Sequence, residues 1–168
     1  MKNFIASAAV CLIFAGCLGY HIGPVKPNYL SDVQTISIPT FSNKTLLPQI
    51  EVLVTDTVIK QFHQDGTYKI ANENNSDAVL KGEITNITRA PARSLRGNVL
   101  ATTEFNLVMR VRYKLVARNG TDLMPSAEVA GTTSFFVGND LNADERQALP
   151  LAAEELATNL VTQVSEGW

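Results

Sequence analysis

Between Glu104 and Leu115 apolar and polar residues alternate almost one for one. Phe105, Leu107, Met109, Val111, Tyr113 and Leu115 fall on one side. Glu104, Asn106, Arg110, Arg112 and Lys114 fall on the other, where Val108 is the apolar exception. A period of two held this long marks an extended strand with one face buried and one wet. Asn119-Gly120 follows as a hairpin turn, since both residue types accept positive φ, and Glu128 to Val137 reads as the antiparallel return. Upstream, the β-branched run Val33 to Pro39 predicts a first strand, and Pro39 to Thr45 a loop rich in capping residues. Tyr68 to Ala71 is a short strand, Asn72 to Ser76 a polar turn, and Asp77 to Arg89 a longer strand. Gly82 inside that strand predicts a bulge or a close approach. Ala90 to Asn98 reads as a turn or hairpin loop carrying Arg93 and Arg96.

Two stretches change period. Ile50, Val54, Val58 and Phe62 recur every fourth residue, which predicts a helix from about Pro48 to Gln64. Pro48 suits its first turn, and Asp65-Gly66 suits its stop. Leu149, Leu156, Leu160 and Val164 mark a second helix, from about Ala143 to Ser165, with Asn142 as its cap. Pro150 fits only near a first turn, or after a short turn that precedes the main helix. The expected fold is α+β: a mostly antiparallel sheet of about four strands with two helices packed on one face.

The amino-terminal segment has a different character. Met1-Lys2 precedes an uncharged apolar run from Phe4 to Phe14, and Ala15-Gly16 precede Cys17. A basic start, a short apolar core and small residues at the cut form a secretory signal, too short to span a bilayer as a helix. The cysteine directly after the cut looks like a lipobox, so residues 1–16 are expected to be a leader and Cys17 a lipidated first residue. Several acyl chains, palmitate among them, give stable anchoring where one gives marginal binding. Leu18 follows in place of an aspartate, which favours the outer membrane, facing the periplasm. Residues 17–30, with their glycines and prolines, read as a tether, and 31–168 as a single domain. Cleavage removes Lys2 from 14 basic residues set against 16 acidic ones, which takes the formal charge from −2 to −3. No global field draws this chain to nucleic acid.

Catalytic patterns are absent from the sequence. His21 and His63 have no second histidine or cysteine at ligand spacing, so no metal or other cofactor is expected. Ser42, Ser94 and Ser126 lack a Gly-x-Ser-x-Gly setting, and Glu154-Glu155 fall on a predicted solvent face. Asn43-Lys44-Thr45 is expected to satisfy backbone groups of the loop and of the helix start.

Cys17, Gly19-Tyr20-His21-Ile22-Gly23, Ile38 to Thr45, Glu51, Phe62 and Asp77 to Gly82 together resemble the LptE family of lipopolysaccharide-assembly lipoproteins, as does the ending Glu166-Gly167-Trp168. The resemblance implies a four-stranded sheet with two helices, and no enzymatic activity. It also implies a partner, the outer-membrane β-barrel LptD, which such a lipoprotein plugs, and a ligand, lipopolysaccharide. Arg93, Arg96, Arg110, Arg112 and Lys114 are the candidate contacts, because lipopolysaccharide carries phosphates and arginine forks bind phosphate in pairs of hydrogen bonds. The other reading of these residues is a solvated strand face whose charges block edge-to-edge pairing. A second function class also stays open: a periplasm-facing regulator or scaffold that activates a peptidoglycan synthase or builds a secretion pore. Such lipoproteins are similar in the early strand, loop and helix.

Overall fold

The computed structural model describes residues 26–95 and 98–167; the expected leader, Cys17, Arg96 and Trp168 lie outside them. Three long strands form the frame. The alternating stretch is the middle of β5 (Asn98–Ala117), paired antiparallel with β4 (Ala78–Leu95) on one side and β6 (Asp122–Phe136) on the other. The turn between β5 and β6 is the predicted one: Gly120 has φ 88°, and the Thr121 amide donates to Asn119 Oδ1 at 3.0 Å.

Three short strands complete the sheet and correct its expected form. β1 (Thr35–Ser37) and β2 (Ser42–Asn43) lie end to end along β4, both parallel to it, and β3 (Lys69–Ile70) lies parallel to β1. The sheet is six-stranded and mixed, in the order β3-β1-β4-β5-β6 with β2 also on β4, in place of four mostly antiparallel strands. The cause is α1 (Ile50–Asp65), which carries the chain back so that β3 enters in the direction of β1; a helical crossover makes neighbours parallel. Strands of two or three residues are too short to show a period.

Both helices pack on one face of the sheet. α2 (Leu141–Glu166) lies over β5 and β6 and against α1. The helices run the same way: Ser165 near the end of α2 donates to Asp65 at the end of α1 at 3.0 Å, and Glu145 lines the same hollow as Lys44 to Leu47, just before α1. Leu107, Met109, Val111, Tyr113 and Leu115 all point into the core, with Ile36, Leu80 and Ile84 from the neighbouring strands. Small residues set the spacing. A Cβ on Gly131 of β6 would lie 2.1 Å from the Ala152 carbonyl oxygen of α2, and one on Gly82 of β4 would lie 2.5 Å from the Phe41 ring. The predicted close approach at Gly82 is therefore the Phe41 ring.

Several boundaries move. α1 begins after Pro48, at Ile50, behind Gln49 with φ 65°; its predicted stop holds, with Gly66 at φ 74°. Asp140, and not Asn142, caps α2, its carboxylate accepting from the amides of Asn142 and Ala143. Pro150 stands exposed inside α2, which continues through it because the apolar face on either side is buried. The predicted loop Ala90–Asn98 is strand up to Leu95, since pairing with β5 outweighs the local signal of Pro91. Past β2 that edge of β4 has no partner among the described residues, and a proline is cheapest where no ladder bond is lost.

Candidate functional site

The sheet face opposite the helices is uncovered, and the strand alternation places on it everything charged that β5 carries. Arg110, Arg112 and Lys114 stand in line there, as the sequence predicts. Each meets a carboxylate from a neighbouring strand: Arg110 Nη1 lies 3.4 Å from Glu128, Arg112 Nη1 3.8 Å from Glu83, and Lys114 Nζ 3.6 Å from Asp122. Glu83 is shared, because Lys44 Nζ also approaches it, at 4.0 Å. These pairs are exposed and long, the kind that contributes ~0–1 kcal/mol. The edge-guarding reading fails for them, since β5 is flanked by β4 and β6 and is no edge.

The real edge is guarded otherwise. On β6, Glu155 of α2 accepts from the Thr132 amide at 2.6 Å, and Asn159 donates to the Ala130 carbonyl at 2.9 Å. Two helix side chains thus satisfy backbone groups that would otherwise invite another strand.

Of the other candidates, Arg93 does not join this line, and Arg96 lies outside the described residues. Arg93 sits opposite Glu104, its Nε 3.6 Å from that carboxylate, six residues up β5 from Arg110 and so about 20 Å away. There the β4–β5 hairpin continues past the helices as an arm, with Ala90 to Arg93 all exposed. Arg89 faces the helix side: its Nη1 lies 2.5 Å from Glu145 and its guanidinium 5.9 Å from the Phe105 ring.

Lys81 belongs to the uncovered face and escaped the sequence reading. It is the register partner of Lys114, two cations directly opposite each other. The alternation of Leu80, Lys81 and Glu83 signals its face; its pairing with Lys114 depends on register, which the sequence does not display. Lys81, Glu83, Arg112, Lys114, Ser42 and Ser126 line an open hollow of about 450 Å³.

Two further motifs prove structural. Asn43 Oδ1 accepts from the Thr45 amide (2.8 Å) and hydroxyl (2.7 Å), while its Nδ2 donates to the Leu47 carbonyl (2.8 Å) and to Glu51 (2.9 Å). This bears out the loop-closing role expected of Asn43-Lys44-Thr45. Asp77 accepts from the Thr35 hydroxyl and from the amides of Gln34 and Thr35, clasping β1 to the start of β4. These bonds, the hydroxyl first, hold its carboxyl below the usual range.

Among the described residues no group of three His, Cys, Asp or Glu is placed to hold a metal, and no helix is long and apolar enough to cross a membrane. Comparison with curated proteins gives no match. Solved structures share the fold. A minor lipoprotein from Acinetobacter baumannii is 15% identical, with 81% of this chain and 95% of that one covered and a TM-score of 0.56. A PelC dodecamer subunit from Paraburkholderia phytofirmans is 15% identical, with 83% and 93% covered and a TM-score of 0.52. A Xanthomonas campestris protein is 14% identical, with 86% and 89% covered and a TM-score of 0.55. A sequence model of LptE, lipopolysaccharide-assembly, matches residues 33–164, from just before β1 almost to the end of α2. The chain therefore belongs to the LptE family, non-catalytic lipoproteins held by lipid on the periplasmic side of the outer membrane.

Proposed function

We propose that this protein is the lipoprotein partner of the outer-membrane β-barrel LptD, that it plugs and stabilises that barrel, and that it binds lipopolysaccharide on its way to the outer leaflet. The observation that carries this reading is the family match over residues 33–164, which takes in every strand and almost all of α2. The architecture suits the work. One sheet face is packed with helices, and the other presents Arg110, Arg112 and Lys114 to whatever lies against it. Arg93 on the arm, with Arg96 three residues further along the chain, supplies further guanidinium groups for phosphates. Cys17 carries the lipid in this reading, and the tether between it and Lys26 is short, so the body works close to the leaflet.

The test is purification of the lipidated protein from outer membranes under mild detergent. Recovery of LptD in stoichiometric amount supports the proposal; its absence, or recovery of a peptidoglycan synthase in its place, defeats it. The glycolipid contacts are tested separately. Replacing Arg110, Arg112 and Lys114 together by alanine is expected to weaken lipopolysaccharide binding at least tenfold, the loss of roughly one charge-assisted bond. Unchanged affinity would remove the strand residues from the site.

A further inference from the structure

We infer that the row Lys81–Lys114 on the uncovered sheet face is an anion site built for a phosphate group. This deepens the function proposed above by giving its ligand a seat, and it rests on that reading for the ligand's origin.

Like charges directly opposite each other on neighbouring strands destabilise a sheet. Lys81 and Lys114 are such a pair; Lys114 sits on an internal strand, and Lys81 falls in the three-residue gap between the pairings of β1 and β2, too short to admit another strand. Lys114 has Asp122 at 3.6 Å; Lys81 has no carboxylate within ion-pair distance among the described residues.

Both neighbouring strands are interrupted beside this row. On one side, Ser37 pairs with Val79 and Ser42 with Glu83, so the chain breaks away between β1 and β2, at Pro39, level with Lys81. On the other, the register of β6 shifts between Tyr113 and Leu115, so that Pro125 and Ser126 together stand against Lys114, and Ser126 lines the hollow. The gap between β1 and β2 leaves the flank of Lys81 unpaired, and the bulge in β6 bends that strand beside Lys114. What remains is the hollow of about 450 Å³, with two lysines and Arg112 around it and the Ser42 and Ser126 hydroxyls at its sides.

Glu83 is its one carboxylate, and Arg112 and Lys44 divide it between them at 3.8 Å and 4.0 Å. By contrast Arg89 and Glu145, on the helix side, close to 2.5 Å. Positive charge therefore outweighs negative in the hollow, and the ion pairs there are loose enough to turn toward an incoming anion. A tetrahedral phosphate accepts from ammonium, guanidinium and hydroxyl donors alike.

The experiment measures melting of the mature domain with inorganic phosphate added at constant ionic strength, for the parent, Lys81→Ala and Lys60→Ala. Lys60 is an exposed lysine on α1, away from the hollow, so it matches the change in charge. Without phosphate, Lys81→Ala should melt at or above the parent temperature, because a repulsion is gone. With phosphate, the parent and Lys60→Ala should rise while Lys81→Ala rises much less, since a ligand stabilises only the state that binds it. General salting effects act on all three and cancel. Equal rises in all three proteins, or no phosphate-dependent rise in the parent, would overturn the site.

The source is resolved by binding to vesicles of phosphatidylglycerol and to bis-phosphorylated lipid A, with dephosphorylated lipid A as control. Lipid A bound tenfold or more tightly than its dephosphorylated form, with the difference lost in Lys81→Ala, assigns the seat to the glycolipid. Equal capture of both phosphorylated lipids assigns it to a phosphate of any lipid. Recovery of LptD does not depend on Lys81, so failure of this site leaves the barrel partnership standing.

Discussion

At the residue scale, single atoms decide where the elements may approach. Gly131 lets α2 come down on β6 until its backbone touches, so Gly131→Ala forces a methyl into the Ala152 carbonyl and the Leu156 amide. Helix backbone cannot yield as a side chain can. The expected loss is at the upper end of the ~1–3 kcal/mol typical of overpacking, read from the urea midpoint. Asp77 makes a pH-dependent contribution with a definite sign. Its carboxyl is held below the usual range in the fold, so its stabilisation is full above the unfolded value of about 4 and fades as the pH falls through the lower folded value. Unfolding midpoints of the parent should therefore drop as the pH falls below about 4, and those of Asp77→Asn should drop less. The Asp77 clasp could not have been foreseen, because it joins residues 42 positions apart. The polar face of β5, by contrast, was plain from alternation alone.

At the element scale, one side chain makes most of the hydrogen bonds that hold the loop between β2 and α1. Asn43→Ala removes its four hydrogen bonds and frees a segment that ends in the left-handed Gln49. A cost of ~1–3 kcal/mol is expected, with faster amide exchange across residues 43–49. The sheet and α2 are tied by the Tyr113 hydroxyl, which donates to Gln163 Oε1 at 2.7 Å. Tyr113→Phe should cost ~0.5–1.5 kcal/mol by chemical denaturation. Burial pushes the phenols of Tyr113 and Tyr68 up to about 12, with the nearby Tyr29 adding to it. Their stabilisation is whole below the unfolded value of about 10 and is lost as the pH climbs through the folded one. The parent should consequently lose stability between about pH 10 and 12, and Tyr113→Phe should lose less of it. Both helices and the three long strands were legible from period, while β2 was not. It exists because β4 offers an edge for it, a condition that two residues cannot announce.

At the scale of the whole molecule, the first described residues and the arm lie at opposite poles. Lys26 sits over the Tyr68 ring at 4.8 Å and donates to the Val33 carbonyl, and Pro27 lies beside Gly167 at the end of α2. The hairpin arm leaves from the other end, past the first turns of α2, where Arg89 meets Glu145. If Cys17 is the anchor, Cys17→Ser should move the protein from the membrane fraction to the soluble one. Its circular dichroism and melting should not change, because no described contact of the domain reaches that far. A variant that stays with the membrane would show that something other than lipid holds it.

The order of amino acids by itself determined the periods, and with them the two helices, the long meander and which face of β5 is wet. Such features depend on neighbours two to four residues apart. Tertiary structure alone decided the parallel pairing of β1, β2 and β3, the separation of Arg89 and Arg93 from the basic line, and the meeting of Lys81 with Lys114. Each of these depends on strand register and crossover direction. Those are settled by burying the inner faces of the sheet and helices together, and no local pattern records the outcome.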